Sequence, residues 1–179
     1  EATEDIQKMI GADGDERAFS SVGFSLAKRL PWLYINLATA FLAASVVALF
    51  EDTIAKITIL AVYLPVVAGQ GGNAGAQSLA VVMRGLVMRE IPKHRAGQLI
   101  FKEGWIGCIN GILIGIVTAA VAWLWQGNPY LGLVIGLGMM VNLTVAGLSG
   151  AAIPLAMKAL KLDPAQSSNI ILTTVTDVM

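Results

Sequence analysis

From Gly104 to Met157 the chain runs 54 residues without one charged side chain. Two further uncharged runs precede it, Leu30 to Phe50 and Ile57 to Met83. Crossing about 30 Å of hydrocarbon takes roughly 20 helical residues. The turn-like Gln126-Gly127-Asn128-Pro129 divides the longest run in two. The pattern therefore predicts four spans near 30–50, 57–83, 104–125 and 130–157. A fifth apolar stretch opens at Pro164 and is still running at Met179, shorter than a full crossing.

Composition agrees with a bilayer. Charged residues make up 13% of the chain, against about 25% in soluble domains. Mean hydropathy is +0.71. The fold class expected is an all-α, polytopic membrane helix bundle with five transmembrane helices per subunit, the fifth truncated, and a homodimeric assembly. A start at Glu1 and an unfinished fifth run predict a piece of a longer protein. Residues 1–27 read as the end of a cytoplasmic linker or domain plus an amphipathic lead-in. Within them Ile6, Met9 and Ile10 can form one short apolar helix face. Residues 28–179 read as the transmembrane unit. The acidic amino end is not a signal peptide, and Cys108 alone sets neither disulfide nor metal cluster.

Basic residues orient the bundle. Lys and Arg favour cytoplasmic loops. With the amino end inside, every basic residue except Lys56 falls on the cytoplasmic side. The stretch from Arg84 to Glu103 reads as the longest loop between spans, with His94 a solvated residue in it. Its charge reads as topogenic, and no nucleic-acid partner is expected. Trp32, Tyr34, Trp105, Trp123, Trp125 and Tyr130 flank span ends, as interfacial aromatics do. The first span is expected to open at Lys28, with Pro31 in its first turn, where its missing donor costs nothing.

Small residues mark where helices approach. Gly107, Gly111 and Gly115 recur at four-residue spacing, and so do Gly132 and Gly136. Such stripes permit close contact in lipid. Pro65 to Ser78 is more unusual, because Pro65, Gly69, Gly71, Gly72, Asn73 and Gly75 all weaken helix preference. Two readings of this segment stay open. It is either irregular backbone against a wet cavity, or a kinked packing helix whose amides are satisfied internally. Gly147, Gly150 and Pro154 repeat the theme near the inner end of the fourth span. Asn110 and Asn142 are polar groups at depth, expected to bond between helices.

The fifth helix carries the chemistry. Asp163 is expected to cap it, with Pro164 at the first helical position. Asp177 lies fourteen residues beyond, about 20 Å at 1.5 Å per residue. An acid at that depth is costly unless it faces water, a partner or an ion. Asn169, Thr173 and Asp177 are spaced i, i+4, i+8 and share one helix face. With Thr176 they read as the lining of a cation path. One carboxylate cannot neutralise a divalent ion, but two copies across a two-fold axis can. Oxygen ligands suit hard cations, and Mg²⁺ sheds its water reluctantly. Spacing alone leaves Mn²⁺ and Co²⁺ open as well. A secondary divalent-cation transporter coupled to Na⁺ or H⁺, and a non-conducting assembly subunit, are the alternative readings. No nucleophile–base pair supports an enzyme.

The chain after about residue 17 resembles the transmembrane domain of the bacterial MgtE family, related to a group of eukaryotic solute carriers. Four features carry the resemblance: Arg29-Leu30-Pro31-Trp32-Leu33 with Asn36; Pro65 to Ser78; Gly147 to Pro154; and Asp163-Pro164-Ala165 leading to Thr173-Thr174-Val175-Thr176-Asp177. The resemblance implies a homodimeric Mg²⁺ channel whose pore runs along the dimer interface and is lined by the second and fifth helices. It implies that Asp177 of each subunit holds hydrated Mg²⁺, with Thr173 and Asn169 behind it. It also implies Mg²⁺-sensing cytoplasmic partners, an amino-terminal domain and paired CBS modules, which this chain lacks. The expected setting is the bacterial inner membrane.

Overall fold

A computed structural model describes residues 15–164 and 168–179. The apolar face expected at Ile6, Met9 and Ile10 lies outside them. The described residues form an all-α polytopic membrane bundle. Its helices are α1 (Val22–Ala48), α2 (Glu51–Lys56), α3 (Ile59–Val87), α4 (Ala96–Gln126), α5 (Pro129–Ala159) and α6 (Ser168–Val178). A 3₁₀ turn, Lys93–Arg95, precedes α4. Three helices, α1, α4 and α5, are long and apolar enough to cross a membrane. At 29 residues α3 is of similar length, about 43 Å, but glycines and amides interrupt its apolar surface.

The first helix starts earlier than the uncharged run. Ser21 has extended backbone, and its hydroxyl accepts from Phe24 N–H at 3.4 Å. This N-cap sets the first turn at Val22. Pro31 is therefore in the helix interior and not in the first turn, which corrects the sequence expectation. Its absent N–H leaves the Ala27 carbonyl without its usual i+4 donor. Below the helix, Glu16 is buried and accepts from Arg29, Nε at 3.0 Å and Nη2 at 2.5 Å. Of all α1 only Ala43 is buried, and the helix packs against α6. The short α2 carries Glu51 and Asp52 in its first turn and Lys56 in its last, matching the helix dipole at both ends.

The connection between α3 and α4 is shorter than the expected loop of Arg84 to Glu103, because α4 already begins at Ala96. Lys102 and Glu103 thus belong to a helix and not to a loop. His94 is exposed in the 3₁₀ turn. Arg89, in left-handed backbone (φ 56°), ends α3, and Glu90 N–H returns to Gly85 O at 2.9 Å. Lys161 (φ 61°) ends α5 in the same way, with Leu162 N–H on Met157 O at 2.9 Å. Both follow the Schellman arrangement, in which positive φ recovers terminal carbonyls.

An antiparallel hairpin of α4 and α5 is the rigid centre. Gly127 closes α4 at φ 68°, and Asn128 caps α5 by accepting from Tyr130 and Leu131 N–H at 3.0 and 3.3 Å. Pro129, read from the sequence as the end of the turn, opens α5. The two helices meet through glycines. A Cβ on Gly111 would lie 2.7 Å from Met140 Cα, and one on Gly115 would lie 2.7 Å from Gly136 O. Gly107 faces Leu143 O just as closely, and Gly132 faces Ala119 O. The glycine stripes are thus packing within one chain. Around the hairpin, α3 packs on α5, and α6 fills the groove they leave. Leu79, Val82, Met83, Leu86, Ala151 and Leu172 form one buried cluster; Tyr63, Ala122, Leu131 and Ile135 form another. The outward surface stays apolar, with Leu124, Trp125 and Tyr130 among its most exposed side chains. In lipid, burying such groups brings little gain, so close packing and polar bonds hold the helices together.

Candidate functional site

The last helix has two distinct faces. Ser168, Leu172 and Thr176 are buried and point into the bundle. Asn169, Thr173 and Asp177 lie one residue further round, so they form the adjacent stripe. Along it, Asn169 and Thr173 are half-buried and Asp177 is exposed. Asp177 makes no ion pair or hydrogen bond among the described residues. Thr173 Oγ1 donates to Ile170 O at 3.0 Å. A hydroxyl held this way turns only lone pairs outward, toward a cation or the hydrogens of its hydration water.

Thr176 does not join that stripe. It is 1% exposed, and its hydroxyl donates to Thr173 O at 3.1 Å. Its place is in the packing face, so the expectation of an ion contact there is corrected. The expected cap at Asp163 and first turn at Pro164 adjoin residues that are not described. Pro164 lies in a turn, α6 is described from Ser168, and residues 165–167 between them lie outside the described residues. Ser168 Oγ is close to Pro164 O and to Met157 Sδ, the latter at 3.4 Å, which ties the helix to the end of α5.

Beside α6 runs α3, whose backbone is regular while its amides Gln70, Asn73 and Gln77 make no side-chain hydrogen bond among the described residues. The helix is continuous from Ile59 to Val87, with Pro65 inside it, so the irregular-backbone reading does not hold. Its glycines divide by role. Gly71 and Gly75 are buried against neighbours: a Cβ on Gly71 would run into the Asn142 amide, and one on Gly75 would lie 2.8 Å from Leu172 Cδ1. Asn142, 1% exposed, sends Nδ2 to Val67 O at 3.0 Å. That is the helix-to-helix bond expected of it. Gly69 and Gly72, by contrast, have open space where a Cβ would stand. Asn73 follows them in sequence. Gly69 and Gly72 thus leave part of the α3 surface open.

On α5 the small residues admit α3 and α4. Gly147 faces Glu103 O, and Gly150 faces Gly75 O and Ser78 Cβ. Ser78 Oγ donates to Gly147 O at 3.1 Å, and Pro154 is fully buried in the helix. The sequence reading missed one charged group. Glu103, assigned there to a loop end, is 6% exposed, and Lys102 Nζ lies 3.6 Å from it. Its position beside the glycine stripe was the available signal. Among the described residues no three His, Cys, Asp or Glu side chains gather to hold a metal. One copy of the chain therefore offers a cation neutral oxygens and one free carboxylate at the α6 stripe.

Comparison with known proteins gives a consistent answer. The family model of MgtE, divalent cation transporter, matches residues 64–179, which holds the α6 stripe and almost all of α3. Three proteins named magnesium transporter MgtE are similar over essentially the whole chain. The one from Bacillus subtilis is 37% identical over 100% of this chain and 40% of its own length. Those from Enterococcus faecalis and Thermus thermophilus are 37% and 33% identical, each over 99% of this chain. They are covered over 39% and 40% of their own lengths, so the chain spans well under half of each relative. The relatives are named as transporters, not as enzymes. The chain belongs to the MgtE family of divalent cation transporters.

Proposed function

We propose that this chain is the membrane-embedded conduction unit of a Mg²⁺ channel, working as a homodimer in a bacterial inner membrane. Two copies bring their α6 stripes together along a two-fold axis. Asp177 of each copy faces a hydrated Mg²⁺, and Thr173 and Asn169 accept hydrogen bonds from its water one and two turns further in. The open face of α3, with Gly69, Gly72 and Asn73, forms the rest of the wall. Gly71, Gly75, Gly147, Gly150 and Pro154 hold that wall in register from behind.

The observation that carries this reading is the free carboxylate of Asp177 at the end of an oxygen-bearing stripe. A lone acid at bilayer depth is expensive. Two of them around a divalent ion balance charge and hydration together. Selection then rests on field strength and on the fit of a retained water shell, since Mg²⁺ gives up water reluctantly. Mn²⁺ and Co²⁺, of similar charge and size, are expected to pass to a lesser degree. The inward-negative potential supplies about 4.6 kcal/mol per divalent ion per 100 mV. Five helices per subunit cross the bilayer, with the amino end cytoplasmic. Residues 1–27 lead in from cytoplasmic Mg²⁺-sensing domains that lie elsewhere in the full protein.

Mg²⁺ uptake into liposomes tests the reading. Asp177→Asn is expected to reduce flux strongly while the dimer still forms by cross-linking. Unchanged flux and ion preference would remove Asp177 from the pathway.

A further inference from the structure

A second polar site lies away from α6. Between α3, α4 and α5 is a cavity of about 260 Å³ lined by Gln77, Ser78, Lys102, Glu103, Asn110 and Gly147 along with apolar groups. No residue of α6 lines it, so it is separate from the Asp177 stripe. Its oxygens come from helices that the glycine contacts hold rigidly.

Glu103 is the unusual member. A carboxylate that is 6% exposed within a membrane protein needs a balancing charge. Among the described residues that charge is Lys102 Nζ, 3.6 Å away on a side chain that is 63% exposed. That distance makes an ion pair without a hydrogen bond, and the ammonium reaches it from the surface. The neutral oxygens are not otherwise engaged. Gln77 and Asn110 make no side-chain hydrogen bond among the described residues. Ser78 donates its proton to Gly147 O, so its own lone pairs stay available. The volume admits an ion with several waters, each needing about 30 Å³.

Charge selects the guest. One carboxylate with neutral amide and hydroxyl oxygens balances one positive charge. A divalent ion would retain an uncompensated charge there. We propose that this cavity binds a single alkali-metal cation on Glu103, Asn110, Gln77 and Ser78, and that the Lys102 ammonium occupies the same electrostatic position when the ion is absent. The site is a competition between a tethered cation and a free one, and it is independent of the conduction reading.

Equilibrium binding of radiolabelled Na⁺ to the purified chain in detergent micelles is the test, with K⁺ and Mg²⁺ as competitors. The wild type should bind Na⁺ saturably at one per chain, and K⁺ should displace it at lower concentration than Mg²⁺. Glu103→Gln should weaken binding at least about tenfold. Lys102→Met, on an exposed side chain, should tighten it several-fold by removing the internal competitor. Asp177→Asn should retain the binding whatever becomes of its Mg²⁺ flux, which separates this site from the channel reading. Absence of saturable binding in well-dispersed wild type overturns the proposal. So does wild-type affinity in Glu103→Gln, a Lys102→Met variant no tighter than wild type, or displacement by Mg²⁺ in preference to K⁺.

Discussion

Asn142 reaches across from α5 to the carbonyl of Val67 at 3.0 Å, through a gap that exists because residue 71 has no side chain. The bond brings α3 against the hairpin at a point where Pro65 removes one backbone donor from α3 itself. The amide nitrogen is paired while its buried oxygen has no partner among the described residues, so losing the one bond would leave the whole amide unpaired, and the glycine and the asparagine depend on each other.

Gly71→Ala should therefore cost about 1–3 kcal/mol, since its Cβ would overlap the Asn142 amide. Unfolding in mixed micelles would measure this. Asn142→Ala alone should also destabilise, and the double variant should cost clearly less than the sum of the two. Additive costs would show that the two residues act separately.

The α4–α5 contact makes a second prediction. Gly111→Ala and Gly115→Ala each place a methyl group against backbone at 2.7 Å, where no side chain can move aside. Each should lose about 1–3 kcal/mol. Gly138→Ala in the same helix pair meets nothing within 4 Å and should be neutral or gain up to about 1 kcal/mol from helix propensity. Thermal melts of the three variants, followed by circular dichroism, check the contrast.

Two helix ends can be improved. Arg89 and Lys161 hold left-handed backbone that glycine adopts without strain. Arg89→Gly and Lys161→Gly should each stabilise by about 0.5–1 kcal/mol. Both remove a positive charge expected on the cytoplasmic side, so insertion topology should be scored alongside stability. A loss of stability would mean that the side chains, not the turns, are what matters there.

Much of the architecture was legible because charge is excluded from lipid. The uncharged runs located the helices, and Gly127-Asn128-Pro129 located the sharp turn between α4 and α5. The polar stripe of α6 was legible from i, i+4 spacing. Helix ends were not, because in this chain they lie beyond the apolar runs. Ser21 caps α1 nine residues before Leu30, which moves Pro31 inward. Ala96 begins α4 seven residues ahead of Glu103, which turns a supposed loop acid into a buried one. Thr176 failed for another reason. It is adjacent to Asp177 in sequence but about 100° round the helix from it, and only its neighbours in space reveal that its side is packed.

Conduction through this dimer depends on an ion held between two copies of Asp177. The most direct measurement is a crystal structure of the dimer grown with Mn²⁺ in place of Mg²⁺, located by anomalous scattering. The expected result is a peak on the two-fold axis with Asp177 carboxylate oxygens about 4 Å away, roughly a metal–water bond of about 2.1 Å plus a hydrogen bond of about 2.7 Å, shortened by its angle. Asp177 turned toward lipid, or bound to a basic side chain away from the axis, would contradict it.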